Sequence, residues 1–212
     1  MPNLSRRQPN ATGPGARGHH FSPPGAKSRK ELPAAADMDL VFKFTPKSRG
    51  YGEVFMNKNS AFHPVALHPF SAESMVVADL NIQDPDDIVV DFGPGLGLWA
   101  LMNNDNWVKI HSLSPETVTV ADLDNSSKDN LIMDFGHGFG LWAHMNNASW
   151  VKIHDFSAEN IASGDLGNNN KDDLIIDFGP GLGTWAFMNN ESWKPLHPFS
   201  PETITTGEID GN

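Results

Sequence analysis

Three loops rich in Asp and Asn carry the residue types most suited to chemistry in this sequence. They span residues 79–87, 122–130 and 165–173. Oxygen-bearing side chains stand at positions 1, 3, 5 and 9 of each loop, except for Gly167 at the third position of the last loop. Calcium takes six to eight oxygen ligands, and alternating positions on a curled loop direct such oxygens at one centre. The spacing predicts calcium sites. The alternative is a set of Asx turns whose side chains accept backbone N–H groups without a metal.

The loops belong to a repeat of 43 residues. Asp91-Phe92-Gly93 recurs at this interval, as Asp134-Phe135-Gly136 and Asp177-Phe178-Gly179. Thirteen of the seventeen positions in 91–107 are identical in 177–193. Fixed periods of this length are typical of repeat architectures, so the repeat determines the fold prediction.

Each repeat reads as four short strands separated by turn-forming residues. In one copy, the predicted strands are 131–135, 141–145, 150–154 and 160–166. Short strands about ten residues apart, without helical periodicity, indicate an all-β fold. Four antiparallel strands in a period of about 40 residues predict the blades of a β-propeller, which bury their faces against one another.

Four blades are visible in the sequence. A degenerate blade spans 37–77, and three complete copies span 78–120, 121–163 and 164–206; residues 207–212 begin the next motif or end a closing strand. We expect Glu202–Ile209 to be a strand that pairs beside 40–44 and closes a ring of four. A fragment of a larger propeller would have the same sequence pattern.

The loops, the Asp-Leu-Ile-Ile strand at 173–176 and the Phe-Gly dipeptides resemble the FG-GAP repeats of integrin α-chain propellers and the VCBS repeats of bacterial surface proteins. The resemblance covers residues 78–212, and more weakly 37–77. It implies a propeller with calcium bound between the first two strands of each blade. The implied ligands are Asp79, Asn81, Gln83 and Asp87; Asp122, Asp124, Ser126 and Asn130; and Asp165, Asn169 and Asp173. Only two carboxylates stand at the ligand positions of each loop, so we expect dissociation constants no better than ~10⁻⁴–10⁻³ M.

Composition excludes several classes of protein. The 212 residues include no cysteine, which rules out disulfides, thiolate zinc sites and a cysteine nucleophile. No apolar run approaches the roughly 20 residues of a membrane-spanning helix. The net charge of −11 divides into +5 on residues 1–36 and −16 on residues 37–212, and the acidic repeats argue against nucleic acid as a partner and against membrane insertion. The basic, Pro- and Gly-rich leader at 1–36 is predicted to be disordered and has no signal-peptide pattern.

Catalysis is not predicted. His68, His111, His154 and His197 are equivalent residues in different repeats, and we expect them to form hydrogen bonds at the surface rather than a zinc or catalytic site. Asp91, Asp134 and Asp177 stand in like environments, whereas a glycosidase needs two unlike carboxylates about 5–10 Å apart. We therefore expect the chain not to be an enzyme.

The main functional prediction is a calcium-associated binding or adhesion module of a secreted or surface protein, with a protein or glycan ligand. The alternatives are a multivalent lectin, similar to fungal lectins built from such repeats, and a truncated chain without activity. A lectin site requires Trp99 to be accessible, whereas we expect the repeated tryptophans to pack between blades. The candidate sugar-binding residues are Trp99, Asn103, Trp142, Asn146, Trp185 and Asn189.

Overall fold

The computed structural model describes residues 40–43, 54–57, 65–207 and 209. The described strands belong to one unit, Ala34–Gly207. The predicted leader at 1–36 and much of the degenerate blade lie outside the described residues.

Fifteen strands in the described residues form four antiparallel sheets, numbered here in chain order. Sheet 1 has three strands: β1 (Leu40–Lys43), β2 (Val54–Asn57) and β3 (Val65–His68). Sheet 2 has β4 (Ser74–Ala78), β5 (Asp87–Asp91), β6 (Leu98–Met102) and β7 (Asn106–His111). Sheet 3 has β8 (Thr117–Ala121), β9 (Asn130–Asp134), β10 (Leu141–Met145) and β11 (Ser149–His154). Sheet 4 has β12 (Asn160–Gly164), β13 (Asp173–Asp177), β14 (Thr184–Met188) and β15 (Ser192–His197).

The all-β prediction is confirmed. The described residues contain no helix, and hence none that is long and apolar enough to cross a membrane. The predicted strand 141–145 matches β10 of sheet 3, and the other three predictions overlap β9 and β11 of sheet 3 and β12 of sheet 4, with ends displaced by one or two residues. The Asn-Asn turns also form as expected: Asn146 and Asn147 have φ of 52° and 53°, the left-handed conformation that suits a tight hairpin.

Burial divides the strands of each complete sheet into inner, middle and outer positions. Every residue of β5, β9 and β13 is buried, which explains why these strands read as continuous apolar runs between two aspartates or an asparagine and an aspartate. The first strands β4, β8 and β12 contact one another from sheet to sheet and form the inner edge. The last strands β7, β11 and β15 form the outer edge and are mostly exposed.

Successive sheets pack face to face through three hydrophobic clusters. Val54 of sheet 1 packs with Val90 of sheet 2, and Leu98 of sheet 2 packs with Met133 of sheet 3. The third cluster joins Leu141 of sheet 3 to Ile176 of sheet 4. Sheets 2 and 3 bury both faces against neighbouring sheets, so no single sheet supplies its own core.

The expected terminal strand at 202–209 is not formed: residues 201–207 adopt no strand conformation, and Glu208 is not described. This segment nevertheless keeps a contact that the inner strands repeat. Ser163 of β12 donates its hydroxyl to the backbone oxygen of Val120 in β8 (2.8 Å), and Thr206 donates its hydroxyl to that of Ser163 (2.6 Å). The segment therefore lies beside β12 as β12 lies beside β8. It lacks a described partner strand on its other side, so the ladder that defines a strand is missing.

Candidate functional site

A glycine-rich loop joins the second and third strands of each complete sheet and is held by a buried aspartate. Asp91 accepts hydrogen bonds from the Gly93 backbone N–H (3.0 Å) and the Ser114 hydroxyl (2.7 Å). Asp134 and Asp177 have the same two kinds of partner in their own sheets. All three carboxylates are buried. They thus connect two loops, which is a structural role.

The loop of sheet 2 folds back on itself and presents Leu96 to solvent. Phe92 N–H donates to Gly97 O (3.1 Å), and Gly97 N–H donates to Gly93 O (2.9 Å). Gly97 has φ of +80°, and a Cβ there would lie 2.4 Å from the His111 backbone oxygen. The indole N–H of Trp99 donates to Leu96 O (3.0 Å) and fixes the outer end of the loop. This geometry requires glycine at 97.

A histidine ends the last strand of every sheet, as the sequence predicts. His68 Nδ1 accepts the backbone N–H of Phe70 (3.2 Å), and His111, His154 and His197 repeat this bond. Burial lowers the pKa of His68, His111 and His154, so these rings are neutral at pH 7. Because Nδ1 is the acceptor, the proton of the neutral ring is on Nε2, which is then a hydrogen-bond donor.

An aromatic pocket lies between sheets 1 and 2. This first pocket has a volume of about 150 Å³ and is lined by His68, Phe70, Phe92, Leu96, Trp99 and Trp107. The His68 ring centroid lies 4.4 Å from that of Phe92 and 5.2 Å from that of Trp107. Phe70 is 49% exposed and Leu96 is 39% exposed, so the pocket has a packed aromatic wall and an apolar rim that solvent reaches.

The 43-residue period places equivalent residues between the next sheets, with similar ring contacts, and we call each of these two sets of residues a pocket as well. The middle pocket, between sheets 2 and 3, consists of His111, Leu113, Phe135, Phe139, Trp142 and Trp150. The third pocket, between sheets 3 and 4, consists of His154, Phe156, Phe178, Leu182, Trp185 and Trp193. All six tryptophans of the chain belong to these pockets. Five of them, all but Trp142, pack against the hydrophobic clusters between sheets, as expected, but each of the six is only half-buried and so stays partly accessible.

The rim of every pocket pairs one phenylalanine with one leucine, but the two exchange sides. Phe70 faces Leu96 in the first pocket, whereas Leu113 faces Phe139 in the middle one. The third pocket returns to the first arrangement. The two rim residues of a pocket come from different sheets. Since a phenylalanine on one side is always matched by a leucine on the other, the combined apolar volume of the rim is the same in every pocket.

The pockets differ in charge beside their tryptophan. Lys109 Nζ lies 5.4 Å from the ring centroid of Trp99, and Lys152 Nζ lies 5.6 Å from that of Trp142. Pro195 replaces this lysine opposite Trp185. The third pocket therefore leaves its tryptophan without a cation above the ring.

A further histidine and phenylalanine lie beyond sheet 4. His197 and Phe199, with Thr184, Ser200 and Pro201, line an open cavity of about 320 Å³. Phe199 is 72% exposed. In the part of the chain that the structure describes, no following sheet supplies the other half of this fourth position.

The acidic loop of sheet 2 uses its carboxylates to bind its own backbone. Asp79 accepts the backbone N–H of Ile82 (2.6 Å). Asp87 is fully buried and accepts the N–H groups of Leu80 (3.2 Å) and Asn103 (2.7 Å), one on each carboxylate oxygen. Burial raises the pKa of Asp87. These are the contacts of the Asx-turn alternative.

The other predicted calcium ligands have similar partners. Asn81 accepts Gln83 N–H, Asp122 and Asp124 accept Ser126 N–H, and Asn130 accepts Leu123 N–H. Gln83 Oε1 and Asp124 Oδ2 accept amide groups from Asn103 and Asn146. Asp165 accepts Asn169 and Asn170 N–H, Asn169 accepts Lys171 N–H, and Asp173 accepts Leu166 and Asn189 N–H. No group of three His, Asp or Glu side chains among the described residues is arranged to hold a metal ion. In this arrangement, N–H groups already occupy the side-chain oxygens of the loops, which does not fit calcium. The calcium sites stay a prediction from the sequence.

Two aspartates of these loops connect successive sheets instead. Asp129 Oδ2 accepts Asp79 N–H (2.8 Å), while Asp129 N–H donates to Asp79 O (2.7 Å). Asp172 and Asp122 form the same reciprocal pair between sheets 4 and 3. Burial, followed by repulsion from neighbouring aspartates, raises the pKa of both Asp129 and Asp172. We call each pair an inter-sheet clamp.

The candidate sugar-binding residues do not form one site. Trp99 and Asn103 lie at opposite ends of β6, about 13 Å apart by the rise of an extended strand. Asn103, and likewise Asn146 and Asn189, lie with the acidic loops, where their amides bind Gln83, Asp124 and Asn169. The tryptophans lie with the pockets. The rim residues Phe70 and Leu96 were not predicted. The sequence nevertheless shows an apolar residue two positions after each repeated histidine, at the 43-residue period.

Comparisons with known proteins indicate the fold. No protein-family model and no curated protein sequence matches the chain, so the resemblance to FG-GAP and VCBS repeats stays a prediction. The structure is similar to that of an Agrocybe aegerita lectin described as recognising non-reducing terminal N-acetylglucosamine. The match has a TM-score of 0.52 and 16% sequence identity, and it covers 76% of this chain and 53% of the lectin chain. The chain thus shares the fold of about half of that lectin.

Proposed function

We propose that the protein binds carbohydrate in the aromatic pockets between successive sheets. The observation that carries the proposal is the first pocket, which combines a packed aromatic wall, an accessible apolar rim and a histidine. The same residue types recur twice along the chain. Binding pockets for small ligands combine such apolar surfaces with a few directional polar groups. The similarity to a lectin supports this function over the calcium-associated adhesion module, and the accessible tryptophans remove the main objection to it.

An acetamido sugar suits the groups that surround the pocket. His68 Nε2–H can donate to the amide carbonyl, while Phe70 and Leu96 can contact the methyl group and the C–H face of the ring. Glu73 supplies an acceptor for hydroxyl groups, since its carboxylate lies against Gly93 in the loop that carries Phe92 and Leu96. Terminal N-acetylglucosamine is therefore the first ligand to test.

Three pockets would make the protein multivalent. Each pocket is small and open, so we expect weak binding to a single sugar. Simultaneous binding to a glycan-covered surface raises the apparent affinity without any new contact, provided that the spacing of the glycans allows it.

Substitution of Phe70 by alanine tests the first pocket. The half-exposed ring leaves roughly 100 Å² accessible, and a sugar that covers one face buries about half of this area, which is worth ~1.2 kcal/mol at about 25 cal/mol per Å². We expect the affinity of the first pocket to fall roughly eightfold. The indole N–H signal of Trp99 in a two-dimensional NMR titration with an N-acetylglucosamine-terminated oligosaccharide reports this pocket, and that of Trp185 reports the unchanged third pocket.

Val65→Ala is the matched control, since Val65 is also an exposed apolar residue of sheet 1 but lies outside the pocket. Equal affinity of Phe70→Ala and Val65→Ala at Trp99 would contradict the pocket as the sugar site. Absence of binding to any member of a glycan array would contradict the function as a whole and favour a protein ligand.

We also propose that the sheets are blades of a β-propeller that residues 203–207 close. Sheet 1 lacks an inner strand among its described residues, and the hydroxyl bond of Thr206 places residues 203–207 beside β12. The register of β4 with β5, transferred by the repeat, puts Thr206 directly opposite Leu40.

A designed disulfide tests the closure. The chain has no cysteine, so the double variant Leu40→Cys with Thr206→Cys contains only the intended pair. We expect an intramolecular disulfide under mild oxidation, seen as a faster monomer band in non-reducing electrophoresis. Leu40→Cys with Thr203→Cys is the control, since Thr203 lies three residues away from the paired position, about 10 Å along the strand. Disulfide-linked dimers, or equal cross-linking of the two variants, would contradict the closed ring.

A further inference from the structure

Behind Trp150 of the middle pocket, in the same interface between sheets 2 and 3, lies a buried histidine that the other two interfaces lack. His144 of β10 stands where sheet 2 has Leu101 and sheet 4 has Phe187. It is 7% exposed, faces sheet 2 and stacks on Trp150 with a centroid distance of 4.6 Å. Its Nδ1 has no hydrogen-bond partner. The position is therefore apolar in two repeats and ionisable in the third.

The surroundings of His144 oppose a positive charge. Burial, followed by repulsion from His111 of sheet 2, lowers the pKa of His144. The neighbouring strands β8 and β9 present apolar residues such as Val118 and Leu131. Lys152 of β11 extends over Trp142 on the same face as His144, and its only ion-pair partner among the described residues is Asp155 (2.5 Å). Among the described residues, no carboxylate forms an ion pair with His144 that would balance its protonation.

We propose that the middle pocket is an acid-release site, which opens before the other two because His144 takes up a proton once sheets 2 and 3 separate. The release of glycan rests on the proposed function, whereas the opening does not. In mildly acidic solution the protein would retain two competent pockets out of three.

The size of the effect follows from proton linkage. A histidine that is neutral when the interface is closed and has its ordinary pKa of 6.5 when the interface is open raises the opening constant by up to about 30-fold between pH 8 and pH 5. The first and third pockets each have one such residue, His68 and His154. The middle pocket has two, His111 and His144, so the limit there is about 900-fold.

Hydrogen exchange measures the opening without a ligand. The backbone N–H groups of Asp79 and Asp129 are hydrogen-bonded across sheets 2 and 3, and those of Asp122 and Asp172 across sheets 3 and 4, so their exchange reports the two interfaces. Rates at pH 8.0 and pH 5.0 are corrected for the intrinsic pH dependence, and we expect the opening constant to rise about 30-fold more at Asp79 and Asp129 than at Asp122 and Asp172. His144→Leu and His144→Phe, which install the residues of the other repeats, should remove this excess. An equal rise at the two interfaces, or an excess that survives both substitutions, would overturn the proposal.

A glycan titration measures the release. With an N-acetylglucosamine-terminated oligosaccharide, the Trp142 indole signal should show a greater loss of affinity at pH 5.0 than the Trp99 and Trp185 signals, and His144→Leu should cancel the difference. Equal losses at all three signals would overturn acid release. If no pocket binds glycan at pH 7.5, the proposed function fails, and the exchange experiment still decides whether acid opens this interface first.

Discussion

The inter-sheet clamp at Asp129 should respond in opposite ways to two substitutions. In Asp129→Ala, the backbone N–H of Asp79 loses its acceptor, and loss of a hydrogen bond to a charged group costs about 1.5–3 kcal/mol. For a chain of this length, that cost corresponds to roughly 3–12 °C in Tm. Asp129→Asn keeps an acceptor oxygen at the same place and removes the charge that burial and the neighbouring aspartates oppose. We expect Asp129→Asn to equal or exceed the wild-type Tm at pH 7.

The pH dependence gives the sharper test. The folded-state pKa of Asp129 is raised, so ionisation costs stability as the pH rises from the unfolded pKa through the folded one, and this cost is absent below about pH 4. The Tm advantage of Asp129→Asn should therefore shrink as the pH is lowered from 7 to 4. Thermal unfolding followed by circular dichroism at several pH values measures it, with Asp172→Asn as the equivalent change between sheets 3 and 4. An Asn variant as unstable as the Ala variant at pH 7, or an advantage that grows on acidification, would refute this reasoning.

Two further predictions concern the loops. Gly97→Ala should destabilise the protein by several kcal/mol and Gly95→Ala by only about 1 kcal/mol, because both have positive φ but only at Gly97 would a Cβ meet backbone atoms; chemical denaturation compares the two. Similar losses would show that the close approach at Gly97 is unimportant. Calcium at 10 mM should change the Tm by less than about 1 °C relative to chelator-treated protein, because backbone donors already occupy the carboxylate oxygens. A rise of several degrees would show that calcium displaces those donors.

The sequence predicts the repeated strands well because their signals are local. The strand at 141–145 and the positive φ of Asn146 and Asn147 follow from apolar runs and turn residues within one repeat. The position and shape of the pocket cannot be derived from the sequence pattern. His68 comes from sheet 1 and Leu96 from sheet 2, and the period does not tell which faces meet or how much of Trp99 remains accessible.

The acidic loops show a second limit. Oxygens of Asp79 and Asp87 that would bind calcium are the same atoms that accept backbone N–H groups, so composition and spacing favour both uses equally. Only the folded backbone shows which donors reach them. For the same reason, the pairing of Asp129 with Asp79, 50 residues apart, could not be predicted from either loop by itself.

The exchange of phenylalanine and leucine at the pocket rims makes the repeats non-interchangeable. Each rim is shared by the end of one sheet and the glycine-rich loop of the next, so a repeat is matched to its particular neighbour. Excising sheet 3 would bring Leu113 against Leu182 and leave the pocket with a wide, shallow opening. Excising sheet 2 would bring Phe70 against Phe139, and the two rings would crowd the opening of the pocket. A designer who shuffles or duplicates these units has to cut through the middle of a sheet, not between sheets, to carry a matched rim intact.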